Sequence, residues 1–246
     1  MMLSSSLTKE NIHSFDLAQR NAIRMVQACV DQLHLGQSEE DVIQFFLQRS
    51  AEYGFLGFLR RPVVHFNYKY QWRLGPSHNR KLLVGSVVQI HIQPYTNEAF
   101  GNAGCSFCFQ SPDLPIITVA RDICVATSTF ANAAKKAGEL FVFAQSWATN
   151  HLCTLNKESV GHFCFANDGS VNFLWPHNMH LFTQLRRYQL QWYNPRPLDG
   201  IYAIHPDIKQ HGRRVGFAEL IYIEAQDRRV LGRDSMDALC QYTYPR

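Results

Sequence analysis

No apolar run in this 246-residue sequence approaches the roughly 20 residues that span a bilayer, so no membrane helix is expected. Charge is sparse. Charged residues make up 18% and the net charge is only +4, scattered along the chain, which argues against a nucleic-acid partner. The opening MMLSSSLTKENIH lacks the basic-then-apolar layout of a secretory leader, and a soluble, cytoplasmic protein is expected. A disulfide framework is also missing: Cys29, Cys105, Cys108, Cys124, Cys153, Cys164 and Cys240 are odd in number and irregularly spaced. Cys105 and Cys108 form a CxxC without the second pair that a zinc ribbon needs. They sit in the alternating run GCSFCFQ, where positions i and i+3 face opposite ways, so reduced, partly buried thiols are expected. Low-complexity stretches and internal linkers are lacking too.

What is present is a core-forming composition, 46% apolar. The length fits one domain over residues 1–246, with an N-terminal helical arm to about 35 and a tail from about 233. Apolar residues at helical spacing (Phe15, Ala18, Ala22, Met25, Val26, Cys29, Val30, Leu33) predict an amphipathic helix from about Ile12 to Leu35, ended by Gly36. Ser38 before Glu39, Glu40 and Asp41 predicts an N-cap and a second helix to about Tyr53, stopped by Gly54. The period then changes. Pro62–Tyr70, Val87–Gln93 and Cys105–Phe109 read as strands, the last two as a hairpin around Asn97–Gly101. A helix is expected over Asp122–Cys153, and strands at Ile201–His205, Val215–Ile223 and Arg228–Leu231. Helix, helix, hairpin, helix and strand pairs make an α+β fold with a concealed pseudo-repeat.

The block VGSVVQIHIQPYTNEAFGNAGCSFCF (84–109) resembles the first metal hairpin of the pita-bread family of methionine aminopeptidases, prolidases and creatinases, roughly PGDLVLIDLGAEYNGYCSDITRTF. PLDGIYAIHPDI (197–208) resembles LEPGMVFTIEPGI, VGFAELIYI (215–223) resembles VRIEDTVLV, and GSVNFLWPHN (169–178) resembles GHGIGLEVHE. The likeness covers about residues 7–232. It implies a curved antiparallel sheet covered by helices, with a pseudo-two-fold repeat, and relatives that are commonly dimeric, so a homodimer is entertained.

The resemblance also carries an expected site. The family's metal ligands run Asp, Asp, His, Glu, Glu. Carried over, they fall on His91, Asn102, Ser170, His205 and Glu219, so one anion remains. Paired divalent ions need several hard carboxylates, so a dinuclear peptidase site is not expected. Two carboxylates replaced by histidines instead suggest a 2-His-1-carboxylate set of His91, His205 and Glu219. That set would hold a single divalent metal, Fe(II) favoured over Zn, Mn or Co. His177, which matches the family's second histidine, and Asn102 are the expected catalytic residues, with Ser170, Tyr202 and His78 lining a site for a small amino-acid-like or peptide-derived substrate. His162 reads as a core or surface residue, and Arg60, Arg61, Arg213 and Arg214 as solvated charges. Two alternatives stand beside the metal enzyme: a metal-free, creatinase-like enzyme using histidines as acid and base, and an inactive binding module. The polar set at the old ligand positions, costly to bury without purpose, speaks against the last.

Overall fold

The computed structural model describes residues 8–67, 79–155, 159–165, 189–224 and 227–242. Helix α1 (Lys9–Asp31) opens on a capping box in which the Thr8 hydroxyl accepts the Asn11 N–H and the Asn11 side chain accepts the Thr8 N–H. Its buried stripe runs Ile12, Phe15, Ala18, Ala22, Ile23, Met25, Val26 and Cys29, which is the face the sequence predicts. The helix ends four residues short of Leu35. Gly36, at φ 80°, instead serves a later turn whose N–H donates to the Leu82 carbonyl. Helix α2 (Glu39–Arg49) starts at the expected Ser38 cap, continues as a 3₁₀ turn over Ser50–Tyr53 and stops at Gly54, which is left-handed as anticipated.

Among the described residues three antiparallel sheets and a two-stranded ribbon follow, with helices packed on them. Strands β1 (Gly57–Phe58) and β4 (Pro94–Tyr95) form a small ribbon beside the first sheet, in which β2 (Val63–Phe66), β3 (Val87–Ile92) and β5 (Ala103–Cys108) pair in the order β2-β3-β5. Helices α3 (Pro115–Phe130) and α4 (Ala137–Asn150) precede the second half. There β7 (Gly161–Phe165), β8 (Gly200–Ile204), β11 (Glu219–Ile223) and β12 (Arg228–Leu231) pair in the order β12-β11-β8-β7. A third sheet joins β6 (Thr154–Leu155), β9 (Asp207–Gln210) and β10 (Arg213–Gly216). The halves meet where the Ala218 N–H donates to the Gly104 carbonyl at 3.0 Å and Ser106 Oγ both donates to and accepts from the backbone of Gly216.

Two readings need correction. The single helix expected over Asp122–Cys153 is two helices, and the first begins earlier, at Pro115, whose fixed φ and missing N–H suit a first helical turn. The break between them is made by pairing with another segment: Ala137 N–H donates to the Arg196 carbonyl, Gly138 N–H to Asn194, and Leu198 N–H to Lys135. The approach at Gly138 is so close that a Cβ there would lie 2.6 Å from the Trp192 carbonyl oxygen. The expected C-terminal tail is also a helix, α5 (Arg233–Tyr242), whose Met236 and Leu239 are buried and which packs on α1. The cysteines follow expectation: Cys29, Cys105, Cys108, Cys124, Cys153 and Cys164 are free and buried. No helix among the described residues is long and apolar enough to cross a membrane.

Candidate functional site

Strand register builds the site. Val63 on β2 pairs with His91 on β3, His91 with Gly104 on β5, and Gly104 bridges to Ala218. These four residues form one cross-strand row and all line a cavity of about 320 Å³ at the junction of the two halves. Gly104 keeps the row passable, because a Cβ there would stand 3.0 Å from the Ala218 Cβ and 3.3 Å from His91 Cδ2. The opposite wall comes from the second half. His162 on β7 pairs with Ala203 on β8, and His205 follows two residues later, its N–H donating to the Val160 carbonyl at 2.8 Å.

The cavity therefore gathers four imidazoles, those of His65, His91, His162 and His205. His162 Nδ1 and His205 Nε2 are hydrogen-bonded at 3.0 Å, and the ring centroids of His91 and His205 are 5.9 Å apart. A His–His hydrogen bond needs one N–H and one lone pair, so the pair shares a proton across it. His91 is held from behind: its Nε2 lies 2.7 Å from Asn102 Oδ1, which also accepts from Gln93 Nε2 at 3.1 Å. Asn102, expected to be catalytic, is 0% exposed and does not border the cavity; it stands behind His91.

Three arginines and one carboxylate complete the lining, beside His65. Arg60, Arg61, Arg214 and His65 border the cavity, and Asp207 is the sole carboxylate among its described lining residues. Asp207 is engaged by Arg214 and by Gln89 Nε2, and Arg61 is paired with Glu40. Three guanidinium groups thus face one carboxylate among the described lining residues. Such a chamber favours an anion.

Other expected site residues do not border the cavity or lie outside the described residues. His78, Ser170 and His177 lie outside the described residues. Tyr202 is in the core, its ring against Phe163 and its hydroxyl accepting the Asp199 N–H at 3.0 Å and donating to the Pro197 carbonyl. Burial pushes its phenol up to about 12. Tyr202 therefore closes its own turn and does not border the cavity.

Glu219 does not line the cavity either. It starts β11 at 2% exposure, and its Oε2 meets Arg233 of α5 at 3.4 Å. Burial pushes its carboxyl above the usual range, against the pull of Arg233 and the nearby Ser128 hydroxyl, while Asp237 adds to the rise. The reason is one residue of register. Successive strand residues face opposite sides, and Ala218 takes the cavity side. The signal was available: VGFAELIYI laid on VRIEDTVLV without a gap puts Ala218 opposite the family's glutamate. His162 is the other residue the sequence reading missed, its cue being a third histidine on a strand that pairs with the one leading to His205.

The expected metal set is therefore not assembled. Among the described residues no group of three or more His, Cys, Asp or Glu is placed to hold a metal ion. His162 and His205 turn a nitrogen on each other, His91 turns Nε2 on Asn102, and the nearest expected anion is behind the sheet. The donors present do not fit the 2-His-1-carboxylate centre.

No protein-family model and no curated protein matches the chain. Solved structures do. An X-Pro aminopeptidase from Thermotoga maritima superposes with a TM-score of 0.71 at 13% identity, covering 92% of this chain and 62% of that one. A prolidase from Pyrococcus furiosus gives 0.69 at 16%, covering 94% and 66%. A methionine aminopeptidase from Thermotoga maritima gives 0.69 at 15%, covering 94% and 99%. The chain thus spans about three-fifths of the X-Pro aminopeptidase and nearly all of the methionine aminopeptidase. At such identities the likeness establishes the architecture alone.

Proposed function

Taking as premise that this chain has the pita-bread fold, we propose that its central cavity binds a small carboxylate-bearing molecule of amino-acid or peptide origin and moves protons on it with imidazoles, without a metal. The carrying observation is the 3.0 Å bond between His162 Nδ1 and His205 Nε2 inside a cationic chamber. When the shared proton sits on His162 Nδ1, His205 presents an N–H at Nδ1 and His162 a lone pair at Nε2. When it sits on His205 Nε2, the roles reverse. His162 Nε2 is buried, so His205 is the ring that meets the ligand: it accepts a proton at Nδ1 and passes one from Nε2 to His162 Nδ1, and the reverse transfer makes it an acid. His91 supplies another imidazole, on the facing wall, with its tautomer fixed by Asn102. The guanidinium groups of Arg60, Arg61 and Arg214 in the lining favour a ligand carboxylate. The names of the superposable structures, dipeptidases and aminopeptidases among them, support an amino-acid-derived ligand.

The test is calorimetric titration of the chelator-treated full chain with N-acetylated amino acids and dipeptides, with turnover followed by proton NMR. Expected is binding that requires the free carboxylate and weakens at least tenfold in His205→Ala. Binding without turnover would favour the inactive-module reading, and binding that appears only on adding a divalent metal would overturn the proposal.

A further inference from the structure

We propose that Gln19, on helix α1 and remote from the cavity lining, is a positioning residue that sets the orientation and tautomer of His91 through Asn102. The role matters only if His91 works as proposed above, but the arrangement itself stands on independent geometry. Gln19 lies in the apolar stripe of α1, between Ala18 and Ala22, and is 0% exposed. A primary amide in such a stripe is costly unless all its bonds are met, and an aliphatic side chain would fill the space at less cost.

Both ends of the Gln19 amide go to one peptide unit. Its Oε1 accepts the Asn102 N–H at 2.7 Å, and its Nε2 donates to the Asn102 carbonyl at 3.0 Å. Gln19 thereby supplies Asn102 with the bonds of a neighbouring strand just before β5 begins. The helix is pressed against the chain at this point: a Cβ on Gly101 would lie 2.5 Å from the Ala22 Cβ and 2.8 Å from the Ala18 carbonyl oxygen. Asn102 is also 0% exposed, so its side chain cannot swing to water.

Held in this way, Asn102 presents Oδ1 to His91 Nε2 at 2.7 Å. A carbonyl oxygen carries no proton, so His91 must donate from Nε2, and its neutral form keeps the lone pair on Nδ1. Gln93, donating to the same oxygen, fixes the amide's plane from a second direction. The register of α1 is thus transmitted to one nitrogen of one ring by four hydrogen bonds.

The test is the long-range proton–nitrogen NMR spectrum of the histidine rings in the full chain, wild type and Gln19→Met. Methionine keeps the volume and removes both bonds. Wild type is expected to show His91 as the Nε2–H tautomer. Q19M, with unchanged far-ultraviolet circular dichroism, is expected to show His91 as a tautomer mixture while His162 and His205 keep their wild-type signals. A folded Q19M with His91 still wholly Nε2–H overturns the proposal, as does a wild type in which His91 carries its proton on Nδ1. Should Q19M not fold, Gln19→Leu, which also removes both bonds to the Asn102 peptide, is read in the same way: a tautomer mixture at His91 supports the relay and an unchanged tautomer refutes it. The spectrum needs no turnover, so its outcome is separate from that of the calorimetry.

Discussion

The two walls of the cavity immobilise their histidines by different means. In the N-terminal half, His91 is backed by buried amides, Asn102, Gln93 and Gln19, that reach to the surface helix. In the C-terminal half, His162 and His205 bond each other. An imidazole tied to a carbonyl oxygen has one neutral tautomer available, whereas two imidazoles tied together have two arrangements of comparable bonding. The first wall is built to hold a fixed group, and the second to let a proton move.

The difference can be broken at its strongest point. Behind the N-terminal wall, the buried Glu39 accepts two bonds from Arg80, at 2.7 and 2.6 Å, and the Phe66 N–H of β2 at 2.7 Å. Glu39→Ala strips both the guanidinium and the strand of their acceptor, and about 3–5 kcal/mol of stability should be lost in urea denaturation. A loss under about 1 kcal/mol would mean that the wall does not depend on this anchor. The C-terminal wall should respond in function more than in stability. His162→Phe keeps a ring in the 4%-exposed site but removes the partner of His205. Affinity for a carboxylate ligand should fall at least tenfold, roughly 1.4 kcal/mol, with a smaller change in melting. Equal losses in both would make His162 a packing residue.

Crowding the seam between the walls sharpens the contrast further. Gly104→Ala should cost about 1–2 kcal/mol, because its Cβ meets Ala218 and His91. The smallest effect belongs to Glu219. Its carboxyl sits above an ordinary 4.5 in the folded chain, so charging it is harder there than in the unfolded chain. Its contribution to stability is therefore greatest below about pH 4.5 and declines as pH rises through the folded value. Glu219→Gln should match wild type near pH 4 and gain about 1 kcal/mol at pH 8. Lost ligand binding in E219Q would return this residue to the site.

Much of the scaffold could be read from the chain. Ser38 and Gly54 bracket the second helix because capping and left-handed turns are local chemistry, and the hairpin around Asn97–Gly101 is likewise local. His91, Asn102 and His205 also came from aligned blocks, and they do gather at one junction. What failed was long-range or one residue wide. Pairing of 135–138 with 194–198 divides a helix whose periodicity runs through the break. A shift of one position on β11 exchanges Ala218 for Glu219 and, with it, a metal ligand for a residue of the helix-backed interior. In the sequence His162 reads as a core or surface residue, because a lone histidine in VGHFCF gains meaning only from the strand beside it.

Metal content decides the central claim most directly. The full chain, purified without chelators, would be assayed by plasma mass spectrometry together with His91→Ala and His205→Ala. Imidazoles that bond to each other and to Asn102 predict well under one transition-metal ion per chain, unchanged in either variant. About one ion per chain in wild type, absent from both variants, would contradict it.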